Sequence, residues 1–235
     1  MIAAIHQPDF MPWLGLFTKI SKADVFVILD HTENQPGNTS FWCRRVKMLI
    51  NKQETWFSIP LLKPEGIISQ PIREMKINTA DKKLFDKKIK SIRESYSKAP
   101  YFADIFPLID NYFNDTSEYM ITRNMKFIET VANGIGITCK YIYSSELGCE
   151  KKSSGLMLEI IRKVNADTYL CGDGADDYMK PELFEQAKIN LIYNNFVHPQ
   201  YKQFNTENFI KGLSVVDTLM NLGYEGTREL IMKRN

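Results

Sequence analysis

The chain has 235 residues, with 30 Lys plus Arg against 28 Asp plus Glu, a formal net charge of +2, 44% hydrophobic and 25% charged residues. At about 150 residues per domain this length holds one or two domains, and the composition excludes wholesale disorder and collagen-like or low-complexity character. A charge so near zero exerts no global pull toward nucleic acid or a membrane surface, so neither is expected as a partner.

Residues 1–10 carry no basic segment ahead of an apolar one, and Pro8, Asp9 and Pro12 interrupt the start, so it does not read as a signal peptide. No window reaches the ~18 apolar residues of a transmembrane helix, and a cytoplasmic protein without membrane insertion is expected. Cys43, Cys139, Cys149 and Cys171 form no CxxC pair, and three histidines leave no zinc-finger spacing, so reduced thiols and no metal are expected. Cys171 is the best placed of the four for chemistry, but no neighbour in sequence would stabilise its thiolate.

Residues 1–6 (MIAAIH) read as a buried first strand that ends in the proline-dense loop 7–12. Residues 13–22 read as a helix and 25–29 (VFVIL) as a buried parallel strand, which makes a β–loop–α–β unit with a right-handed crossover. Residues 31–39 read as a polar loop, 41–49 and 55–61 as a hairpin, and 72–77 as a short strand. Residues 81–97 repeat Leu84, Phe85, Ile89, Ile92 and Tyr96 at three and four, an amphipathic helix with lysines opposite. Helices follow over 105–114 and 117–134, the second stopped at Gly134 and Gly136. The βα alternation then returns: strand 137–143, helix 153–164, strand 168–171, helix 179–187, strand 191–196 and helix 215–222, with 226–235 a basic tail or short helix. The reading is one α/β domain over 1–235 with a mainly parallel, doubly wound sheet and a helical and hairpin-bearing insertion at roughly 40–135.

Ligands of open α/β sheets bind at the carboxyl ends of the strands. There the chain places His6, Gln7 and Asp9 after the first strand, then Asp30 and His31, Ser144 and Ser145, Gly172, and His198. His6 is the sharpest candidate for a general base, since an imidazole titrates near neutral pH, with His198 second and His31 read as an ordinary loop residue. Asp9 is placed to orient a histidine or hold an amine, and Trp13 offers either core packing or a stacking face. The Gly172-Asp173-Gly174 turn is neither GxGxxG nor a phosphate loop, and its acidic neighbours would repel phosphate. Arg45 is a candidate partner for a carboxylate or pyrophosphate.

These residues fall in an opening, His6-Gln7-Pro8-Asp9-Phe10-Met11-Pro12-Trp13-Leu14-Gly15, that resembles the "HQP-x-F-x-P-W-x-G" start of the WbqC-like proteins. Further segments resemble the family along nearly the whole chain: Trp42 to Arg45, Trp56 to Pro60, YSKAPYF at 96–102, Ser144-Ser145, Tyr169 to Gly172, Tyr178, His198-Pro199-x-Tyr201-x-Gln203 and Leu213-Ser214-x-x-Asp217. Arg44 stands where the family pattern has Asn, which leaves Arg45 as the family's arginine.

The resemblance implies a role in bacterial O-antigen and surface-polysaccharide biosynthesis, with transfer of an acyl or aminoacyl group such as glycine to a nucleotide-linked amino sugar. No tightly bound cofactor is implied, and the acyl donor would be a thioester of CoA or of a carrier protein. His6, Asp9 and His198 are then the expected catalytic residues, and Gln7, Trp13, Arg45, Ser144, Gly172, Tyr178 and Tyr201 the expected substrate contacts. Carrier proteins are acidic, so the row from Lys82 to Lys90 is a candidate dock. Two other readings stand beside this one. One is an ATP-using ligase or nucleotidyltransferase of the HIGH type, whose second histidine is missing here. The other is a non-catalytic sugar-nucleotide-binding protein.

Overall fold

β1 (Ile2–His6) and β2 (Val25–Ile28) are runs of apolar residues with no polar face, as strands covered on both sides require. They pair in parallel with Ala3 opposite Val25 and His6 opposite Ile28, joined through α1 (Leu14–Ser21). The computed structural model describes residues 1–38, 40–172 and 179–232. Three more parallel strands complete the sheet: β7 (Lys140–Tyr143) beside β2, then β8 (Thr168–Cys171) and β9 (Asn190–Tyr193) on the far side of β1. The sheet order is β7-β2-β1-β8-β9.

This order has a physical consequence. The chain first builds outward from β1 to β2 and β7, then returns to the other side of β1. Right-handed crossovers therefore place helices on opposite faces in the two halves. Alternate residues of each strand follow suit. Ala4, Phe26, Ile28 and Leu170 pack on the face that holds α1 and α7 (Val215–Met232). Ala3, Ile5, Val25, Val27, Tyr169 and Cys171 pack on the face that holds α5 (Ser153–Lys163) and α6 (Pro181–Gln186).

Between β2 and β7 lie the antiparallel pair β3 (Glu33–Asn34) and β6 (Gln70–Pro71), the hairpin of β4 (Arg45–Ile50) and β5 (Gln53–Ser58), and the helices α2 (Lys82–Tyr96), α3 (Phe102–Asn114) and α4 (Met120–Gly134). Asp81 caps α2 by accepting the Leu84 N–H at 3.0 Å. The segment expected as a strand at 72–77 is a 3₁₀ turn, Ile72–Glu74, followed by isolated bridges from Lys76 and Ile77. The expected stop of the last helix after Leu222 is a kink: Gly223 adopts φ +67°, and the chain continues helically to Met232. A side chain at Gly223 would also stand 2.7 Å from the Tyr101 ring, so glycine is required twice over.

One buried carboxylate ties α7 to the insertion. Asp217 is fully buried and accepts from Tyr201 Oη at 2.7 Å, Tyr96 Oη at 2.9 Å and Gln203 Nε2 at 3.0 Å. Burial pushes its pKa up, and the hydrogen bonds from Tyr201, Tyr96 and Gln203 oppose that shift. Asp217→Ala would leave three donors without an acceptor, and we expect it to lower the unfolding free energy by roughly 3 kcal/mol in urea titration. A loss under about 1 kcal/mol would show that these groups find water instead.

Candidate functional site

The strand order reverses between β1 and β8, and the helices on either side of that point diverge. A crevice opens at their carboxyl ends. A cavity of about 490 Å³ lies there. Ile5, His6, Gln7 and Asp9 line it from β1 and its loop, Tyr169 and Gly172 from β8, Ser153, Leu156 and Met157 from the start of α5, and Lys19 from α1. Leu29, Thr32, Glu33 and Trp42 complete the wall.

His6 Nε2 lies 3.1 Å from Asp9 Oδ2. A carboxylate can only accept, so Nε2 donates, and Nδ1 is the ring nitrogen not engaged by Asp9. The other Asp9 oxygen faces Cys43 Sγ at 3.8 Å. Cys43 is fully buried, and burial followed by the Asp9 charge pushes its thiol well above the usual range. It is a lid on the carboxylate rather than a nucleophile. The loop that carries these groups is held from the insertion: Asn124 Nδ2 donates to the carbonyls of Pro8 and Cys43, both at 2.7 Å, while its Oδ1 accepts from Tyr112 Oη at 2.7 Å.

Lys19 is the least expected member. It is 3% exposed, its Nζ donates to the Ile5 carbonyl at 2.8 Å, and it brings a cation to the cavity wall. The start of α5 adds the positive end of a helix dipole. Thr32 Oγ1 is buried and has no hydrogen-bond partner among the described residues, so a polar ligand group would satisfy it.

The model of the WbqC-like protein family matches residues 7–229. The chain belongs to that family. A curated protein of Mycobacterium tuberculosis (strain ATCC 25618 / H37Rv), "Uncharacterized protein Rv1507c", is 23% identical over 224 residues, which cover 94% of each chain. No solved structure matches significantly.

The family segments divide between two places. The opening motif supplies the cavity through His6, Gln7 and Asp9. YSKAPYF, HPxYxQ and LSxxD instead converge on Asp217, through Tyr96, Tyr201 and Gln203. Tyr201 was expected to touch substrate, but its hydroxyl is committed to Asp217 and it does not line the cavity. Trp13 packs edge-on against Phe196 at 4.9 Å and bridges to Ser214, so of its two expected roles it takes the packing one. Ser144 is buried in a network of its own. Its hydroxyl donates to Asp30 Oδ1 at 2.9 Å and accepts from the Asp30 N–H, with His31 Nδ1 at 2.6 Å. His31 is therefore anchored by the end of β7, more than a loop reading implies. Gly172 lines the cavity as expected from its place after β8, and Tyr178 lies outside the described residues, as does most of the 172–174 turn. Cys171 is fully buried in the core between the sheet and α5, closed to substrate.

His198 differs from its expected role as a second base. Its Nε2 accepts the Gly212 N–H at 3.0 Å, and its ring packs on Phe196 and Trp13 at 5.0 and 5.4 Å. Burial, with Lys211 as the lesser cause, lowers its pKa from 6.5 to about 4. A group whose folded pKa is depressed binds its proton first in the unfolded chain, so stability falls as pH drops from 6.5 toward 4. His198→Gln keeps an acceptor for Gly212. We expect a flatter loss of stability over that range, read from urea midpoints at successive pH values. An unchanged slope would mean that His198 is not held neutral.

Lys19, Asn124, Thr32 and Trp42 escape a reading by strand ends. Lys19 had a signal, because every residue of α1 from Leu14 to Ile20 is buried, and a charge in a helix without a polar face needs a reason. Asn124 had none, since its partners come from segments 81 and 116 residues away.

Proposed function

We propose that this cavity binds a nucleotide-linked amino sugar and that the protein transfers an acyl or aminoacyl group to its amine. The observation that carries the reading is the His6–Asp9 pair opening into the cavity at the reversal point of the sheet. The sugar's amine, in neutral form, attacks the carbonyl carbon of a thioester. A C–N bond forms, the C–S bond breaks, and His6 Nδ1 takes the amine proton and returns it to the leaving thiolate. Asp9 holds the ring in that tautomer and stabilises the imidazolium. Lys19 and the start of α5 favour an anionic part of the ligand, and Thr32 a hydroxyl.

A carrier thioester has a candidate dock on α2. Lys82, Lys83, Lys87 and Lys90 are exposed, whereas Lys88 turns inward over Phe57 at 4.6 Å and burial lowers its pKa. Lys90 is 3.7 Å from Glu94, so Lys82, Lys83 and Lys87 are the cations offered to an acidic partner.

The test uses purified protein with UDP- and dTDP-linked amino sugars and acyl thioesters, with product amide followed by mass. His6→Ala is expected to lower kcat by ~10²-fold while the melting temperature and sugar-nucleotide binding are kept. Full activity in that variant, or pyrophosphate release that requires ATP, would overturn the reading, the latter in favour of a ligase. In the same assay Lys83→Glu with Lys87→Glu raises KM for a carrier thioester. An unchanged KM removes the dock.

A further inference from the structure

Two tryptophans stand beside the cavity and no step above uses them. Trp42 is 45% exposed and Trp56 44%, unusual for the largest apolar side chain. Their rings meet edge to face at 5.3 Å. Trp42 lines the same cavity as His6. Its backbone is fixed: it opens the 3₁₀ turn Trp42–Arg44, its carbonyl accepts the Phe10 N–H at 3.1 Å, and the next carbonyl is held by Asn124. Trp56 stands on β5, the far strand of the hairpin, and the guanidinium of Arg45, at the start of β4, lies 3.4 Å from its ring centre. Lys47, directly opposite Trp56, is paired with Glu54 at 2.6 Å. Arg44 turns the other way, donating to the carbonyls of Pro36 and Ile59.

We infer that Trp42 is the stacking surface for the nucleobase of the sugar nucleotide, braced edge-on by Trp56, whose ring carries the Arg45 guanidinium. The inference deepens the proposed function and rests on it. A rigid, half-exposed indole at a cavity mouth gives a planar base its best surface, because stacking needs no hydrogen-bond match and costs little ordering. The adjoining guanidinium matches the charge that a nucleoside diphosphate carries next to its base, whereas a sugar ring alone would bring no anion to that edge. A base on Trp42 leaves the sugar to reach inward along the same cavity, which His6 also lines.

Calorimetry with UDP and dTDP, which lack the sugar, separates this inference from the transfer reading. Wild-type protein is expected to bind both, and Trp42→Ala to weaken them about tenfold. Trp42→Phe, which keeps a ring, is expected to restore most of the affinity, and affinity for an amino sugar 1-phosphate is expected to be the same in all three proteins. Unchanged UDP affinity in Trp42→Ala, with turnover of the sugar nucleotide intact, would overturn the stacking role and leave the transfer reading standing. A loss confined to the sugar 1-phosphate would show that Trp42 stacks on the sugar. Wild-type protein that binds neither UDP nor the sugar nucleotide would overturn both.

Discussion

The amide of Asn124 holds together three parts of the chain that lie far apart in sequence. It sits fully buried on α4 and spends both of its N–H groups on the loop after β1 and on the turn before β4, with its oxygen bound to α3. A buried amide so satisfied fixes direction as well as distance, since any slip of the loop leaves donors and carbonyls unpaired in an apolar surround. The insertion therefore does more than cover the sheet. It sets the loop from which His6 and Asp9 reach each other, and it brings Trp42 to the rim of the same cavity. The sheet supplies the crevice and the insertion supplies the shape of its wall.

A second buried polar centre, Asp217, does the corresponding job at the other end of the insertion, joining α2 and α7 through two tyrosines and a glutamine. The two centres explain why the family's recognisable segments are so scattered. Some line the cavity, in the opening motif, and others hold the chain in place around it. Tyr201 shows the difference, since the family resemblance implies a substrate contact there, whereas its hydroxyl is committed to Asp217.

The central strands were legible because they are buried on both faces, and VFVI or TYLC permits no other reading at that length. The two-residue strands β3 and β6 were not, because their pairing depends on a contact across 36 positions rather than on any local pattern. Of the site, His6, Gln7, Asp9 and Gly172 could be named from their place after parallel strands. That same logic misplaced His198, for position along the chain does not show whether a histidine faces a cavity or, as here, the rings of Trp13 and Phe196. Burial also holds the His198 pKa down at about 4, below the range of a base at neutral pH. The near-zero net charge likewise averages over local charges, with Lys19 in the cavity wall and lysines exposed along α2.

In the proposed reaction the amine of a sugar nucleotide comes to the His6–Asp9 pair. A crystal structure of the His6→Ala variant with a UDP-linked amino sugar tests it most directly. The sugar is expected in the crevice between β1 and β8, with its amine within about 3 Å of the volume vacated by the imidazole or of Asp9. A sugar bound in that crevice with its amine turned to solvent, or bound at any other surface, would contradict it.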